Sequence, residues 1–529
     1  DLNPLAVAAA RANYLTAIGD LLPHAGPVEI PVYLGDSILG RHPGLSDFQH
    51  RFDYVVGNPP WIAWDDLPSG DRQSTKPLWL HYGLFSLSGN EARHGGGKKD
   101  LSMLMIYAAA DRYLRPAGRL AMILTQTVFQ TRGAGDGFRR FRLGEAGEHL
   151  RVLRVNDMVD ARPFAGAANR TASLVLEKGR PTSYPVPYVK YAADRTSRDF
   201  EAVPIDAHRP TSPWMLWPRG WSRSAAAWIG PADYKAHLGA NTGGANGVYW
   251  MTLCDESPGV ASAAGQGSPS VSPVAPPGLV RVRNIADRGK HVVSTEEAFV
   301  ESDLLYPLLR WGDIGRYRAV AAAHLLLAQD PHSRRGIAES VMQNRHPMAY
   351  AYLTQFRGLL ERRAAYRRYQ SQAAVYSMYD VGPYTLAPVK VVWRRMDRRI
   401  NAAVVEPVDD VRLGPRPVIP QETCVLVAVD SVDEAHYLCA VLNSAIAGFV
   451  VSSHSVCGGK SFGSPGMLDY LAIRRYDATH AVHRKMSQAS RRAHHAAAAG
   501  RETAAIQHDI DRLAMALWGL RPEDIPQAT

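Results

Sequence analysis

The first 180 residues alternate between patterns typical of helices and patterns typical of buried strands. Residues 4–22 are rich in Ala and Leu and begin with Pro4, which predicts a helix. Residues 29–36 predict a strand that ends in an acidic residue, and the apolar run FDYVVGN at residues 52–58 predicts the next strand. This alternation predicts an α/β sheet.

More elements of the same kind follow along the chain. Residues 100–114 predict a helix, and the short apolar run at residues 119–127 predicts a strand buried in a parallel sheet. Residues 150–178 contain two further predicted strands. Ligands of such sheets bind beyond the carboxyl ends of the strands. Asp36 and Asn58 each end a predicted strand, so we expect both at that edge.

The second half of the chain has a different texture. Residues 181–233 are rich in Pro and carry tryptophans among polar residues, which predicts a connector. Residues 234–475 predict an α+β domain, in which the low-complexity stretch at 257–278 predicts a loop. The composition of residues 476–529 predicts an antiparallel pair of helices. Residues 1–180 are therefore expected to form the first domain.

Composition narrows the class of protein. The chain has 529 residues, of which 46% are hydrophobic, and its mean hydropathy is −0.20. No apolar run reaches the roughly 18 residues that predict a membrane span, so we expect no membrane association. The four cysteines are scattered and form no CxxC pair, which indicates reduced thiols in a cytoplasmic protein and no metal site.

Charge raises a second question about partners. The formal net charge is +10, and the sequence pI is about 9.4. Such a balance is typical of a basic surface or of a protein that binds a polyanion, above all nucleic acid. Two basic clusters follow one another between residues 356 and 399, the first on a predicted helix and the second on or near a predicted strand. Two successive clusters favour contacts with phosphates.

The tetrapeptide NPPW at residues 58–61 closes one predicted strand with an unusual combination. The exocyclic nitrogen of adenine is a poor nucleophile because its lone pair is delocalised into the ring. Two acceptors aimed at its N–H bonds would favour the geometry that accepts a methyl group. The side-chain oxygen of Asn58 and the carbonyl of Pro59 fit these roles, Pro60 restricts the backbone, and Trp61 offers a stacking face. The alternative is a chance Asn-Pro-Pro turn.

Residues 1–180 resemble the γ-class amino-methyltransferases, which act on adenine N6 in DNA. The resemblance rests on NPPW together with other stretches in the order of that family. It implies a Rossmann-like sheet, S-adenosylmethionine as the cofactor, and a target base flipped out of duplex DNA. The other matching stretches are DLNP at residues 1–4, GDSI at 35–38, KKDLSMLM at 98–105, and DARPFAGAANRTASLVL at 160–176.

The resemblance also implies roles for single residues. Asp1 would hold the ribose hydroxyls of the cofactor, and Asp36 would accept from its adenine amino group. Asn58 would face both cofactor and base, and Met105 would belong to a helix start packed near the cofactor. Phe164 would stack on the flipped base. The alternatives are a helix N-cap role for Asp36 and core packing for Phe164.

Two departures from the family pattern change the expectations. The family usually has Tyr or Phe where this chain has Trp61, which preserves stacking but alters the shape of the pocket. The glycine-containing motif that precedes DLNP in the family is absent from this chain, and with it the first strand of the sheet. We therefore expect an N-terminal polypeptide, or another subunit of a defence system, to complete the fold.

From residue 234 the chain resembles the target-recognition regions of type IIG restriction-modification enzymes and of the BREX and DISARM methyltransferases. The matching stretches include YPLLRWGDIGRY and APVKVVWRRM. The resemblance implies double-stranded DNA as the partner, with phosphate and base-edge contacts from basic residues. The chain shows no recognisable nuclease motif. The candidate DNA-binding residues are Arg310, Arg316, Arg394, Arg395 and Lys460.

Three functions remain open at this point. The first is a site-specific DNA adenine methyltransferase that marks self DNA in restriction-modification or phage defence. The second is a DNA-recognition subunit whose catalytic fold is incomplete or inactive, which the absent first motif favours. The third is a protein glutamine N-methyltransferase, because NPPY-type sites also serve that reaction; the long basic second half argues against it.

Overall fold

The chain divides into two compact units, residues 1–221 and residues 222–529. Each is described below by itself. The computed structural model describes residues 1–40, 48–85, 99–131, 133, 135–164, 166, 170–219, 228–254, 276–455 and 462–520.

A mixed sheet forms the centre of unit 1. Its strands are β1 (Phe52–Gly57), β2 (Leu114–Thr125), β3 (Leu150–Asp157), β4 (Thr171–Lys178), β5 (Val186–Tyr191), β6 (Ser197–Pro204) and β7 (Trp214–Pro218). Their order is β1-β2-β4-β3-β5-β6-β7. The β1–β2 and β3–β5 pairs are parallel, and the other pairs are antiparallel. The strands β1, β2 and β3 therefore end at the same edge of the sheet.

Helices cover part of this sheet. They are α1 (Pro4–Ala17), α2 (Ser69–His81), α3 (Leu101–Arg112) and the short α4 (Thr127–Gln130). Helix α3 is buried along most of its length and begins at Asp100, whose carboxylate accepts from the backbone N–H of Ser102 at 2.8 Å. Helix α1 buries only Val7 among its side chains. The core of unit 1 thus includes most of α3 and no residue of α1.

Two expectations for unit 1 are wrong. Residues 186–218 are not a connector, because they supply β5, β6 and β7 of the same sheet. Trp214 is fully buried and stacks on Phe129, with the ring centroids 4.9 Å apart. The expected strand at residues 29–36 is not formed, because this segment has only an isolated β-bridge at Asp36. A strand forms only where a neighbour satisfies its backbone, which composition cannot reveal.

Unit 2 is also mixed α/β. Its strands are β8 (His237–Leu238), β9 (Trp250–Leu253), β10 (Leu279–Asn284), β11 (Glu297–Glu301), β12 (Leu305–Leu309), β13 (Ile314–Gly315), β14 (Arg318–Ala319), β15 (Ala323–Leu326), β16 (Gln329–Asp330), β17 (Arg335–Gly336), β18 (Val389–Arg394), β19 (Ala402–Val405), β20 (Val408–Asp410), β21 (Gly414–Arg416), β22 (Ile419–Pro420) and β23 (Cys424–Val429). The larger sheets have the orders β11-β10-β9-β15-β12-β22 and β19-β18-β23-β8.

Helices of unit 2 pack on these sheets and on one another. They are α5 (Asn246–Tyr249), α6 (Glu339–Arg345), α7 (Pro347–Gln355), α8 (Arg357–Arg362), α9 (Pro383–Leu386), α10 (Val432–Asn443), α11 (Ala445–His454), α12 (Ala481–Ala498) and α13 (Ala504–Leu517). In the described part of the chain, no single helix is long and apolar enough to cross a membrane. Helices α10 and α11 meet those criteria only as a pair bent by 57°.

A pair of histidines, the buried His436 on α10 and the half-buried His494 on α12, joins α12 to the rest of unit 2. His494 donates from Nδ1 to the carbonyl of Ser490 at 2.8 Å, and its Nε2 accepts from the backbone N–H of Val404 at 2.9 Å. Only the neutral imidazole can make both bonds. Burial lowers the pKa of His494 to about 4, and burial beside His494 and Arg491 lowers the pKa of His436 to about 3.

These histidines predict acid sensitivity. In the unfolded chain a histidine pKa is about 6.5, so below that pH the unfolded state binds more protons than the folded state. We expect the free energy of unfolding of unit 2 to fall as the pH drops from about 6.5 towards 4. His494→Gln should reduce that slope by about 1.4 kcal/mol per pH unit in urea denaturation. The same slope in His494→Gln as in the exposed-site control His332→Gln would contradict this account.

Candidate active site

Asn58 directly follows the last residue of β1 and is exposed. The strand approaches β2 closely at this point, where a Cβ atom on Gly57 would lie 3.0 Å from Met122 Sδ. Within the described residues, no hydrogen-bond partner engages the side chain of Asn58. The amide is therefore presented to solvent at the carboxyl edge of the sheet, as expected.

The loop after Asn58 is fixed to the start of α3. Leu101 donates its backbone N–H to the carbonyl of Ile62 at 2.8 Å, and Trp64 donates to the carbonyl of Lys99 at 2.7 Å. Pro59 is buried in this loop, and its ring restricts the backbone φ angle there. The N-terminus of α3, with its positive dipole end, thus adjoins the NPPW loop, and its first N–H groups are already paired within the protein.

Two aromatic residues face one another beside this loop. The rings of Trp61 and Phe164 have centroids 5.8 Å apart and meet edge to face at 78°. Trp61 is half-buried, and its Nε1 has no partner in the described residues. Phe164 is 37% exposed, so it is not a core residue. A planar ligand that enters between the two rings would have to part them.

Asp36 lies at the other end of β1, contrary to the expectation. Tyr113 donates its hydroxyl to the carbonyl of Ser37 at 2.8 Å, and the carbonyl of Tyr113 accepts from the backbone N–H of Phe52, the first residue of β1. Asn58 follows the last residue of that strand. In the described residues, the segment before Asp36 forms no strand of the sheet, so no pairing fixes Asp36 at the carboxyl edge.

The two acids expected to bind the cofactor lie close to each other but serve the local backbone. Gly35 donates its N–H to the carbonyl of Asp1 at 3.0 Å. The carboxylate of Asp1 accepts from Asn3, and that of Asp36 accepts from the N–H groups of Ile38 and Leu39, each at 2.9 Å. The carboxylate of Asp36 thus caps the turn at residues 37–40, which is not a helix, so neither the cofactor role nor the helix N-cap role of Asp36 is shown.

Met105 sits in α3, half-buried against the core of unit 1. Asp1 and Asp36 lie together, whereas Asn58 is at the far end of β1. The described residues therefore fit the part of a methyltransferase site that would hold the target amino group. They do not bring Asp1 and Asp36 to that place to hold S-adenosylmethionine.

A buried polar network at the same edge of the sheet escaped the sequence reasoning. Tyr188 donates its hydroxyl to Asp157 Oδ2 at 2.7 Å and accepts from Gln126 Nε2 at 2.9 Å. Gln126 follows β2, and Asp157 ends β3. Burial raises the pKa of Asp157. The residue types alone carry no signal, because the three positions meet only when β5 pairs with β3.

Arg310 and Arg316, both candidates for DNA contact, are held within unit 2. Arg310 donates from Nε to Asp313 Oδ2 at 3.0 Å and from Nη2 to Asp313 Oδ1 at 3.2 Å. Arg316 donates from Nη2 to the carbonyl of Asn443. Both guanidinium groups are therefore engaged in the protein's own packing.

The second group of candidates is also partly engaged. The guanidinium of Arg394 lies 4.2 Å from the ring centroid of Trp311, and its Nη1 is 3.5 Å from Asp397 Oδ2. The Nε of Arg395 is buried without a partner in the described residues. Lys460 lies outside the described residues. DNA contact by these side chains stays a prediction.

His454, the last residue of α11, is bonded within the protein. His454 is buried and donates from Nδ1 to the carbonyl of Val450 at 2.6 Å, and burial lowers its pKa to about 4. Cys457 lies outside the described residues. In the part of the chain that the structure describes, no group of three or more His, Cys, Asp or Glu side chains is arranged to hold a metal ion.

Comparison with known families gives one match inside unit 1. Residues 37–158 match the family described as Eco57I restriction-modification methylase. The matched segment contains β1, the NPPW loop, α3, β2 and β3, and it is a minor part of the chain. A search of curated protein sequences found no match. The family match supports a methylase domain of the restriction-modification kind in unit 1.

Solved structures are similar over most of the chain at low identity. The Type IIL restriction-modification enzyme MmeI, solved in complex with DNA, is similar with a TM-score of 0.51 and 11% identity, over 90% of this chain and 55% of that chain. The type IIG restriction endonuclease BpuSI is similar with a TM-score of 0.30 and 13% identity, over 93% of this chain and 56% of that chain. The chain thus spans about half the length of these enzymes. The likeness to MmeI concerns the fold alone.

The Tyr188 network predicts a stability effect that its chemistry explains. Tyr188→Phe leaves the buried Asp157 Oδ2 and Gln126 Nε2 each without the tyrosine hydroxyl, which should cost about 2–3 kcal/mol in the free energy of unfolding of unit 1. Urea denaturation followed by tryptophan fluorescence measures this. Tyr191→Phe, on the same strand, removes only an exposed contact of 3.3 Å with Arg154 and should cost far less. Equal losses in the two variants would contradict the role of the network.

Proposed function

We propose that this chain carries the target-base side of a site-specific DNA methyltransferase. The reaction transfers a methyl group to N6 of an adenine flipped out of duplex DNA, and it marks self DNA in a restriction-modification or phage-defence system. The supporting observation is the exposed Asn58 amide at the carboxyl edge of the sheet, beside the Trp61 and Phe164 rings. The methylase family match over residues 37–158 agrees with it.

The proposed mechanism assigns each group a role at the amino nitrogen. Asn58 Oδ1 and the Pro59 carbonyl accept hydrogen bonds from its two N–H groups and stabilise the positive charge that develops on the nitrogen during transfer. Trp61 and Phe164 hold the purine ring by stacking once the rings have parted. S-adenosylmethionine, when bound, supplies the methyl group. Direct transfer needs no covalent intermediate on the protein.

We further propose that a strand from a polypeptide outside these 529 residues pairs with the edge of β1 opposite β2, which no strand of the described residues covers, and completes the cofactor side. The support is the exposure of apolar side chains on β1: Phe52 is 40%, Tyr54 70% and Val56 76% exposed. Parallel sheets are normally covered on both faces, and unpaired apolar edge strands are a liability. A second strand and its helices would bury these side chains.

A second function, a DNA-recognition subunit without catalysis, has one specific observation in its favour. Asp36 is used as a local backbone cap at the far end of β1 from Asn58. Unless a partner strand rearranges this segment, Asp36 is not in place to hold the cofactor. Cofactor binding therefore separates the two functions.

The first test concerns Asn58. In the completed protein, Asn58→Ala should lower the rate of methyl transfer to duplex DNA by about 100- to 1,000-fold, because one acceptor of the developing charge is lost. Transfer of labelled methyl groups, with N6-methyladenine identified after digestion, measures it. The exposed-site control Asn344→Ala should retain full activity. Unimpaired transfer by Asn58→Ala would refute the proposed role.

The second test concerns the edge of β1. Calorimetric titration of S-adenosylmethionine should show binding to an N-terminally extended version and none, or at least about tenfold weaker binding, to this chain alone. The variant Tyr54→Lys/Val56→Lys should weaken binding to the extended version by a similar factor. Its melting temperature as the isolated chain should be unchanged, because both side chains are exposed there. Equal affinity of the isolated and extended chains would remove the case for a partner strand.

A further inference from the structure

Three arginines of unit 2 are exposed and unpaired, unlike the candidates from the sequence resemblance. Arg362 ends α8, and Arg367 and Arg368 lie on the π-helical turn Tyr366–Gln370. All three are exposed, and within the described residues none of them has a carboxylate partner. We call these three residues the arginine face. By contrast, the neighbouring Arg357 is paired with Glu339 at 3.2 Å.

The backbone beneath the arginine face is held rigidly by a buried arginine. Arg363 is 1% exposed, and its guanidinium donates only to backbone carbonyls. These belong to Leu360 at 3.0 Å, Thr242 at 2.7 Å, Val375 at 2.6 Å and Ser377 at 3.0 Å. Because one side chain joins three segments of the chain, the end of α8 cannot shift freely. The arginine face is therefore presented on a fixed support.

The first residue of the π-helical turn also holds the turn in place. Tyr366 donates its hydroxyl to the carbonyl of Ala373 at 3.0 Å, which ties the start of the turn to the segment that follows it. The guanidinium of Arg368 lies 5.3 Å from the ring centroid of Tyr369, which is 51% exposed. Stacking on an exposed ring limits the conformations of Arg368 without neutralising its charge. Short π-helical segments occur frequently at functional sites.

A glycine turn brings one more cation near the support. Gly243 and Gly244 have φ values of +70° and +89°, a conformation that favours glycine. A Cβ atom on Gly243 would lie 3.3 Å from Arg363 Cδ, and one on Gly244 would lie 3.1 Å from Lys290 Cβ. Lys290 is exposed and has no carboxylate partner in the described residues. The glycine turn thus lies between Lys290 and the buried Arg363 that supports the end of α8.

We propose that the arginine face, extended by Lys290, contacts the phosphate backbone of duplex DNA. The inference rests on the proposed function and names the surface by which unit 2 would hold its substrate. Unpaired guanidinium groups on a rigid backbone are suited to phosphate oxygens, because little entropy is lost and no internal ion pair must break. Arg310 and Arg394 would each have to leave an aspartate for the same contact.

The test is the salt dependence of DNA binding by the full chain. Arg362→Gln/Arg367→Gln/Arg368→Gln removes three positive charges, and Lys235→Gln/Lys485→Gln/Arg501→Gln removes three from exposed positions elsewhere in unit 2. The arginine-face variant should lower the slope of log affinity against log salt by about 0.9 for each lost phosphate contact. Its affinity for a fluorescent duplex of arbitrary sequence should fall at least about tenfold, and that of the control far less.

The outcomes separate this inference from the proposed reaction. Equal slopes for the two variants, or no binding of the unaltered chain to duplex DNA, would overturn it. It would also be overturned if the arginine-face variant lost affinity only for an RNA hairpin and not for duplex DNA. Both variants should melt at the temperature of the unaltered chain, because Arg363 is untouched. The measurement needs no cofactor. A reduced slope therefore supports the surface even if Asn58→Ala leaves methyl transfer unimpaired.

Discussion

Parallel pairing between β1 and β2 is the constraint on which the candidate site depends. The register that sets Gly57 against Met122 determines where β1 ends, and the backbone approach there leaves room for no side chain larger than glycine without movement of the methionine. Asn58 is presented at the carboxyl edge because it is the next residue. The loop that follows is then held by two backbone hydrogen bonds to the start of α3. A shift of register would move the amide and the aromatic pair together.

One edge of β1 pairs with β2, whereas Tyr54 and Val56, which share one face of the strand, are exposed. In the described residues no strand pairs with the other edge of β1, and the segment that ends in Asp36 lies near the end of the strand opposite Asn58. The base side of the proposed reaction is built by local chain geometry, and the cofactor side requires a neighbour.

Prediction from the sequence succeeded where structure is local. The strand before NPPW, the helix after Asp100 and the helices of the C-terminal segment follow from periodicity and capping, and each is present. It failed where structure depends on distant partners. Residues 186–218 contain prolines, which suggested a connector, yet Trp214 fills the core of the same unit. Gln126, Asp157 and Tyr188 meet only through strand order. Whether an arginine is free or paired depends on neighbours such as Asp313 and Asn443, which no spacing rule identifies.

The edge-to-face contact of Trp61 with Phe164 has a consequence for selectivity in the proposed reaction. A purine that enters between the rings exchanges ring–ring contact, worth about 0.5–1.5 kcal/mol, for ring–base contact, worth about 1–3 kcal/mol. The net gain is small, so a free nucleoside would dwell there only briefly. In the proposed reaction, stable binding of the base would therefore depend on contacts with the flanking double helix. The ring pair would favour a base presented by bound duplex DNA over a free nucleoside.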